Sequence, residues 1–109
     1  MLKIDLRLEY KKYLKILKTN KAFNKFFRVT KEESENHFIY DVGNNILNNK
    51  SLKKLLEEIL PENYSFDNFE FEVIFNKDDR KKLLLNARRV ENINYKSELI
   101  LLAVNEIKD

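Results

Sequence analysis

The run Phe69-Glu-Phe-Glu-Val-Ile-Phe75 places an apolar residue at every second position with acids between, the period of a strand with one buried face. Two more apolar runs follow closely, Leu83-Leu-Leu-Asn-Ala-Arg-Arg-Val90 and Leu99-Ile-Leu-Leu-Ala-Val104, and Asn76-Lys-Asp-Asp-Arg80 supplies a polar hairpin loop before the first of them. Both runs are apolar on two faces, a pattern that a short buried helix would share. Their length and their place after a clear strand favour sheet. The C-terminal third therefore reads as a meander of three strands, Phe69 to Phe75, Leu83 to Val90 and Leu99 to Ile107, which needs cover on its apolar faces.

The preceding residues supply two more strands and the cover for one face. Leu2 to Leu8 alternates apolar and polar residues, Glu9 to Lys12 reads as a turn, and Tyr13 to Leu17 as a second short strand. Thr19 or Asn20 caps a helix over Lys21 to Phe27, because a side-chain oxygen there accepts from the free amides of the first turn. Thr30 with Glu33 three residues later makes a capping box for a second short helix. Gly43, the only glycine, falls in Asp-Val-Gly-Asn-Asn and is expected to supply a positive φ. Ser51 to Leu60 reads as the longest helix, with Leu52, Leu55, Leu56, Ile59 and Leu60 on one face and Pro61 closing it. The order predicts a single α+β domain over residues 1–109, with a five-stranded antiparallel sheet and helices between strands 2 and 3.

Composition narrows the chemistry. With no Cys there is no disulfide, no thiolate nucleophile and no cysteine metal site. Neither a signal-peptide core nor an uncharged stretch long enough for a bilayer is present, so the expectation is a cytoplasmic chain without membrane contact. The 21 basic residues are interspersed with 18 acidic ones rather than gathered into a stripe, which argues against nucleic acid as a partner. Only one His exists, no Gly-rich phosphate loop occurs, and Ser34, Ser51, Ser65 and Ser97 have no evident base nearby in sequence. Glu70 and Glu72 share one side of their strand, the ordinary solvated side of an edge. No catalytic constellation and no metal-ligand cluster is expected.

Several segments together resemble a known family. Thr19-Asn-Lys-Ala-Phe-Asn-Lys-Phe-Phe-Arg-Val-Thr-Lys-Glu-Glu33, Tyr40-Asp-Val-Gly-Asn44, Leu52-Lys-Lys-Leu-Leu-Glu-Glu-Ile-Leu-Pro61 and Leu83-Leu-Leu-Asn-Ala-Arg-Arg89 are similar, in order and spacing, to the PAS domains of sensor histidine kinases. Departures are Leu47, where relatives often carry Trp, Asn36 in place of a common Gly, and Glu106-Ile107-Lys108 where an Asp-Ile-Thr exit is usual.

The resemblance implies a sensory module of a longer protein, or a stand-alone partner, that regulates a histidine kinase or another output domain. Regulation would come through small-molecule binding or altered dimer packing. The alternative is a ligand-free PAS scaffold for protein interaction, and a basic nucleic-acid-binding module is a distant third. For a ligand, Asn86 would offer its amide and Arg88 would pair with a carboxylate or phosphate, or else Asn86 satisfies a local backbone group and Arg88 extends to the sheet edge. Phe71, Val73 and Ala103 would be the apolar walls. The abundant Phe and Leu favour a filled interior. His37 is a candidate haem ligand on chemistry alone, but its place before Phe38 favours a surface role. Without Cys, covalent flavin photochemistry is excluded, and the cofactor stays unassigned. Because the last two strands are apolar on both faces, the outer face needs a partner, and a homodimer through Leu83 or Leu84, Ile100 and Leu102 is expected.

Overall fold

A computed structural model of the chain describes residues 3–9, 14–92 and 97–108. Five strands form one antiparallel sheet: β1 (Ile4–Glu9), β2 (Ile16–Thr19), β3 (Ser65–Asn76), β4 (Asp79–Asn92) and β5 (Ser97–Ile107), in the spatial order β2-β1-β5-β4-β3. The C-terminal meander is thus continuous, and the N-terminal hairpin joins it by pairing β1 with β5. The meander's strands are longer than the alternation suggested, and the polar loop shrinks to a tight turn after Asn76, whose Oδ1 accepts from the Asp78 amide at 2.9 Å. The expected turn over Glu9 to Lys12 and the strand start at Tyr13 involve residues 10–13, which lie outside the described residues. Strand β2 itself sits later than expected, because Thr19 still pairs with Leu6.

The helical segment between β2 and β3 begins with α1 (Lys21–Phe27). Asn20 rather than Thr19 caps it, its Oδ1 accepting from Phe23 N–H at 2.8 Å. Helix α2 (Lys31–Ser34) carries the complete Thr30–Glu33 capping box. Then comes α3 (Val42–Asn45), a single turn in which Gly43 and Asn44 are left-handed. Gly43 has φ +59°, and a Cβ there would stand 3.2 Å from the Ile46 side chain, so both the backbone and the packing favour glycine.

The helix expected over Ser51 to Leu60 is not uniform. Asn49 caps α4 (Lys50–Lys54), after which the winding widens to a π-turn over Leu55–Ile59 and tightens to a 3-10 turn over Leu60–Glu62. Pro61 lies inside that last turn instead of beyond it. A proline has no N–H to give and its ring crowds the carbonyl four residues back, so regular α-winding cannot continue through it.

Strand alternation decides which side chains meet the helices. Ile4, Leu6 and Leu8 of β1, Phe71 and Val73 of β3, Leu83, Leu85 and Ala87 of β4, and Ile100, Leu102 and Val104 of β5 all join one buried cluster with Phe23, Phe27, Ile39, Leu52, Leu55, Leu56 and Leu60. Among the described residues, Thr19 and Ser34 are the buried polar ones beside this core. Their hydroxyls lie 3.3 Å apart, and the Thr19 hydroxyl donates to Asn24 Oδ1 at 3.1 Å.

Candidate functional site

Antiparallel register sends alternate residues of β4 and β5 to opposite faces, and this divides the residues that the sequence singled out. Phe71 and Val73 face the helices at 6% and 1% exposure. Asn86, Arg88 and Ala103 face the opposite side, where they line one open groove of about 440 Å3 together with Lys3, Asp5, Arg7, Asp67 and Leu101. The two apolar walls and the polar pair proposed for one ligand therefore do not meet. Asn86 is engaged within the sheet, where its Oδ1 accepts from the Asn68 amide at 2.8 Å. Asn68 has φ +58° within the irregular stretch of β3 between Phe66 and Phe69, and Asn86 satisfies the backbone there.

The dimer residues expected on the outer face need the same correction. Leu83, Ile100 and Leu102 are 0%, 0% and 3% exposed in the single chain and belong to the core beneath the helices. Among the four, Leu84 alone points outward. A one-residue step exchanges the two faces of a strand, and runs apolar on both faces carry no signal to fix the step. The outward set is Leu84, Val90, Leu99, Leu101, Ala103 and Ile107, each half-buried.

Among the described residues, the core void beneath the helices is small. The void bordered by Phe23, Phe27, Ile39, Leu47, Leu52, Phe71 and Leu85 measures about 10 Å3 and has no polar lining. That is about the space of one water, and an apolar wall offers such a water no partner. His37 does not border this void: it is exposed, with Nε2 3.2 Å from the Glu32 carbonyl oxygen.

Arg89, which the sequence reading passed over in favour of Arg88, is heavily engaged. It turns inward beyond Ala87, donating through Nε and Nη2 to one Glu98 oxygen at 2.9 and 2.6 Å and through Nη1 to the Leu60 and Pro61 carbonyls at 3.2 Å each. Its guanidinium also lies 5.0 Å from the centre of the Tyr64 ring. The Leu60 carbonyl also accepts from the Asn63 amide at 3.2 Å, and Arg89 adds a cation to it and to the Pro61 carbonyl, tying the end of the helical segment to β4 and β5. Within the same helical segment, the Tyr40 hydroxyl donates to Glu57 at 3.0 Å. Burial first, and then the Glu57 carboxylate, raise the phenol's pKa above its ordinary value.

No protein-family model matches the chain, and no curated protein matches it in sequence. Solved structures do match. The PAS domain of nitrogen regulation protein NR(II) from Vibrio parahaemolyticus superposes with a TM-score of 0.74 at 15% identity, covering 98% of this chain and 91% of that one. The PAS domain of Bordetella pertussis BvgS gives 0.75 at 13% identity over 100% and 79% of the two chains. A PAS domain from a two-component sensor histidine kinase gives 0.67 at 14% identity over 98% and 86%. The chain has the α+β PAS fold, and one of the structures it matches comes from a two-component sensor histidine kinase.

Proposed function

We propose that this chain is a non-catalytic, cytoplasmic signalling module that works through its outer sheet face, regulating a histidine kinase or a similar output domain by protein packing rather than by enclosing a ligand. The carrying observation is the contrast between the two sides of the sheet: a core void of about 10 Å3 under the helices, against a half-buried apolar face with an open groove. Uncovered apolar sheet surface of this kind marks an interaction site. The PAS fold and its occurrence in sensor kinases support the signalling role, and the small core void favours the scaffold alternative over the ligand sensor.

A second reading rests on Arg88, Asn86 and Ala103 sharing the outer groove: a small anion on that face, held by Arg88 and the Asn86 amide nitrogen. Native mass spectrometry of the purified chain tests both. A dimer of unmodified mass fits the packing module. A species with added small-molecule mass, lost in Arg88→Ala, fits the anion site. A monomer at all concentrations, whose outer-face amide signals are unchanged by a kinase dimerisation domain, overturns the packing proposal.

A further inference from the structure

An open sheet has two free edges, and an uncovered edge offers unpaired amides and carbonyls to any strand that reaches it. At the β2 edge the chain supplies its own cover. Ile16 N–H donates to the His37 carbonyl at 2.8 Å, Asn36 N–H donates to the Ile16 carbonyl at 2.7 Å, and Lys15 bridges Phe38. The β3 edge differs. Among the described residues, the backbone from Glu70 to Ile74 accepts one hydrogen bond from outside the β3–β4 ladder, from Asn49 Nδ2 to the Glu72 carbonyl at 3.4 Å.

Backbone parity assigns the free groups. Arg89 N–H donates toward the β3 side, to the Tyr64 carbonyl at 2.8 Å, and β4 pairs with β5 without a register shift, so Ala87, Leu85 and Leu83 also turn their backbone groups to β3. Their partners there are Phe66, Phe69 and Phe71. Glu70, Glu72 and Ile74 therefore aim N–H and C=O away from the sheet, in agreement with the Asn49 contact at Glu72.

The side chains beside this edge define what fits it. Asp67, Glu70 and Glu72 are exposed on the outer side. Glu72 has Lys82 opposite and Arg80 at 3.5 Å, whereas Glu70 has only Leu84 opposite. On the helix side Phe69 and Phe75 are half-buried. An antiparallel second copy of β3 centred on Phe71 or Glu72 would set acid against acid, which cross-strand pairing disfavours.

We infer that the β3 edge takes an extended segment of another protein, basic at alternate residues and apolar between them, added as a further strand. Its backbone pairs with Glu70, Glu72 and Ile74, and the Glu72 carbonyl, which has two lone pairs, accepts a strand amide beside Asn49. Its cations flank Glu70 and Glu72, and its apolar side chains continue the surface of Phe69 and Phe75. Addition at this edge leaves the outer face open, so it stands or falls apart from the packing proposal.

The probe is a capped synthetic peptide alternating Lys and Val, with one alternating Glu and Val as control, read by NMR titration and amide hydrogen exchange of the chain. Saturating Lys-Val peptide should slow exchange of the Glu70 and Ile74 amides by about tenfold or more, and the Glu-Val peptide should leave them unchanged. Glu70→Lys with Glu72→Lys should reverse that preference. Both positions are exposed, and thermal unfolding of the variant checks that the fold persists. Binding of the Lys-Val peptide that leaves Glu70 and Ile74 exchange unchanged is general charge attraction and overturns strand addition. Equal binding of both peptides, or none, overturns it too, and leaves the acids as guards against self-pairing.

Discussion

Arg89 and Arg88 are adjacent in sequence and opposite in role, and that contrast sets the first prediction. Replacing Arg89 by Ala leaves the Glu98 carboxylate without its cation and removes the bonds to the Leu60 and Pro61 carbonyls, and should cost about 2 kcal/mol in urea unfolding, below the range for a fully buried pair because Glu98 keeps part of its exposure. Arg88→Ala, on the open face, should leave the unfolding midpoint nearly unchanged. A second prediction concerns Asp79, whose carboxyl is held below its ordinary pKa chiefly by the hydrogen bond from Arg28 at 2.8 Å, with burial opposing. The folded state favours the ionised form more than the unfolded chain does. That contribution is therefore complete above about pH 4 and disappears as pH falls through the lowered value. Asp79→Asn should flatten the acid limb of the stability profile below about pH 4, measured as unfolding midpoint against pH, and an unchanged limb would contradict the assignment.

Among the elements, two caps were readable in advance, while the Asn49 cap of α4 and the bends were not. Thr30 and Glu33, and an oxygen before Lys21, identify helix starts because capping is a local contact between residues three apart. Asn49→Ala, which removes the acceptor for Leu52 N–H at 2.8 Å, should destabilise the fold by about 1 kcal/mol. Gly43→Ala should cost more than about 1 kcal/mol, since it meets both a left-handed backbone and the Ile46 methyl at 3.2 Å. Chemical denaturation checks both. Pro61, visible in the sequence, explains why regular α-winding stops there, but the widening to a π-turn over Leu55–Ile59 carries no such local signal.

For the molecule as a whole, the core with its small void and the open outer face imply opposite responses to mutation. Leu85→Ala, next to the small apolar void, should cost about 3 kcal/mol and open a dry cavity able to admit benzene, detected as a benzene-dependent rise in melting temperature. Leu101→Ala, half-buried on the outer face, should leave the single chain's stability almost intact and weaken self-association instead. Were Leu101→Ala to destabilise the monomer as much as Leu85→Ala does, the outer face would be core rather than interface.

The order of elements, the three-strand meander, two helix caps and the need for Gly43 follow from patterns that span a few residues, and such patterns act through neighbours along the chain. The face on which each residue of β4 and β5 lies does not follow, because Leu83-Leu-Leu and Leu99-Ile-Leu-Leu are apolar at odd and even positions alike. Pairing with β1 and β3 fixed that parity, sending Leu83, Ile100 and Leu102 inward and leaving Leu84, Leu101 and Ala103 outside. Glu70 and Glu72 were legible in the sequence as the solvated side of an edge strand. Only the sheet order β2-β1-β5-β4-β3 left that edge without a neighbour, since a free edge is a property of strands brought together and not of any one of them.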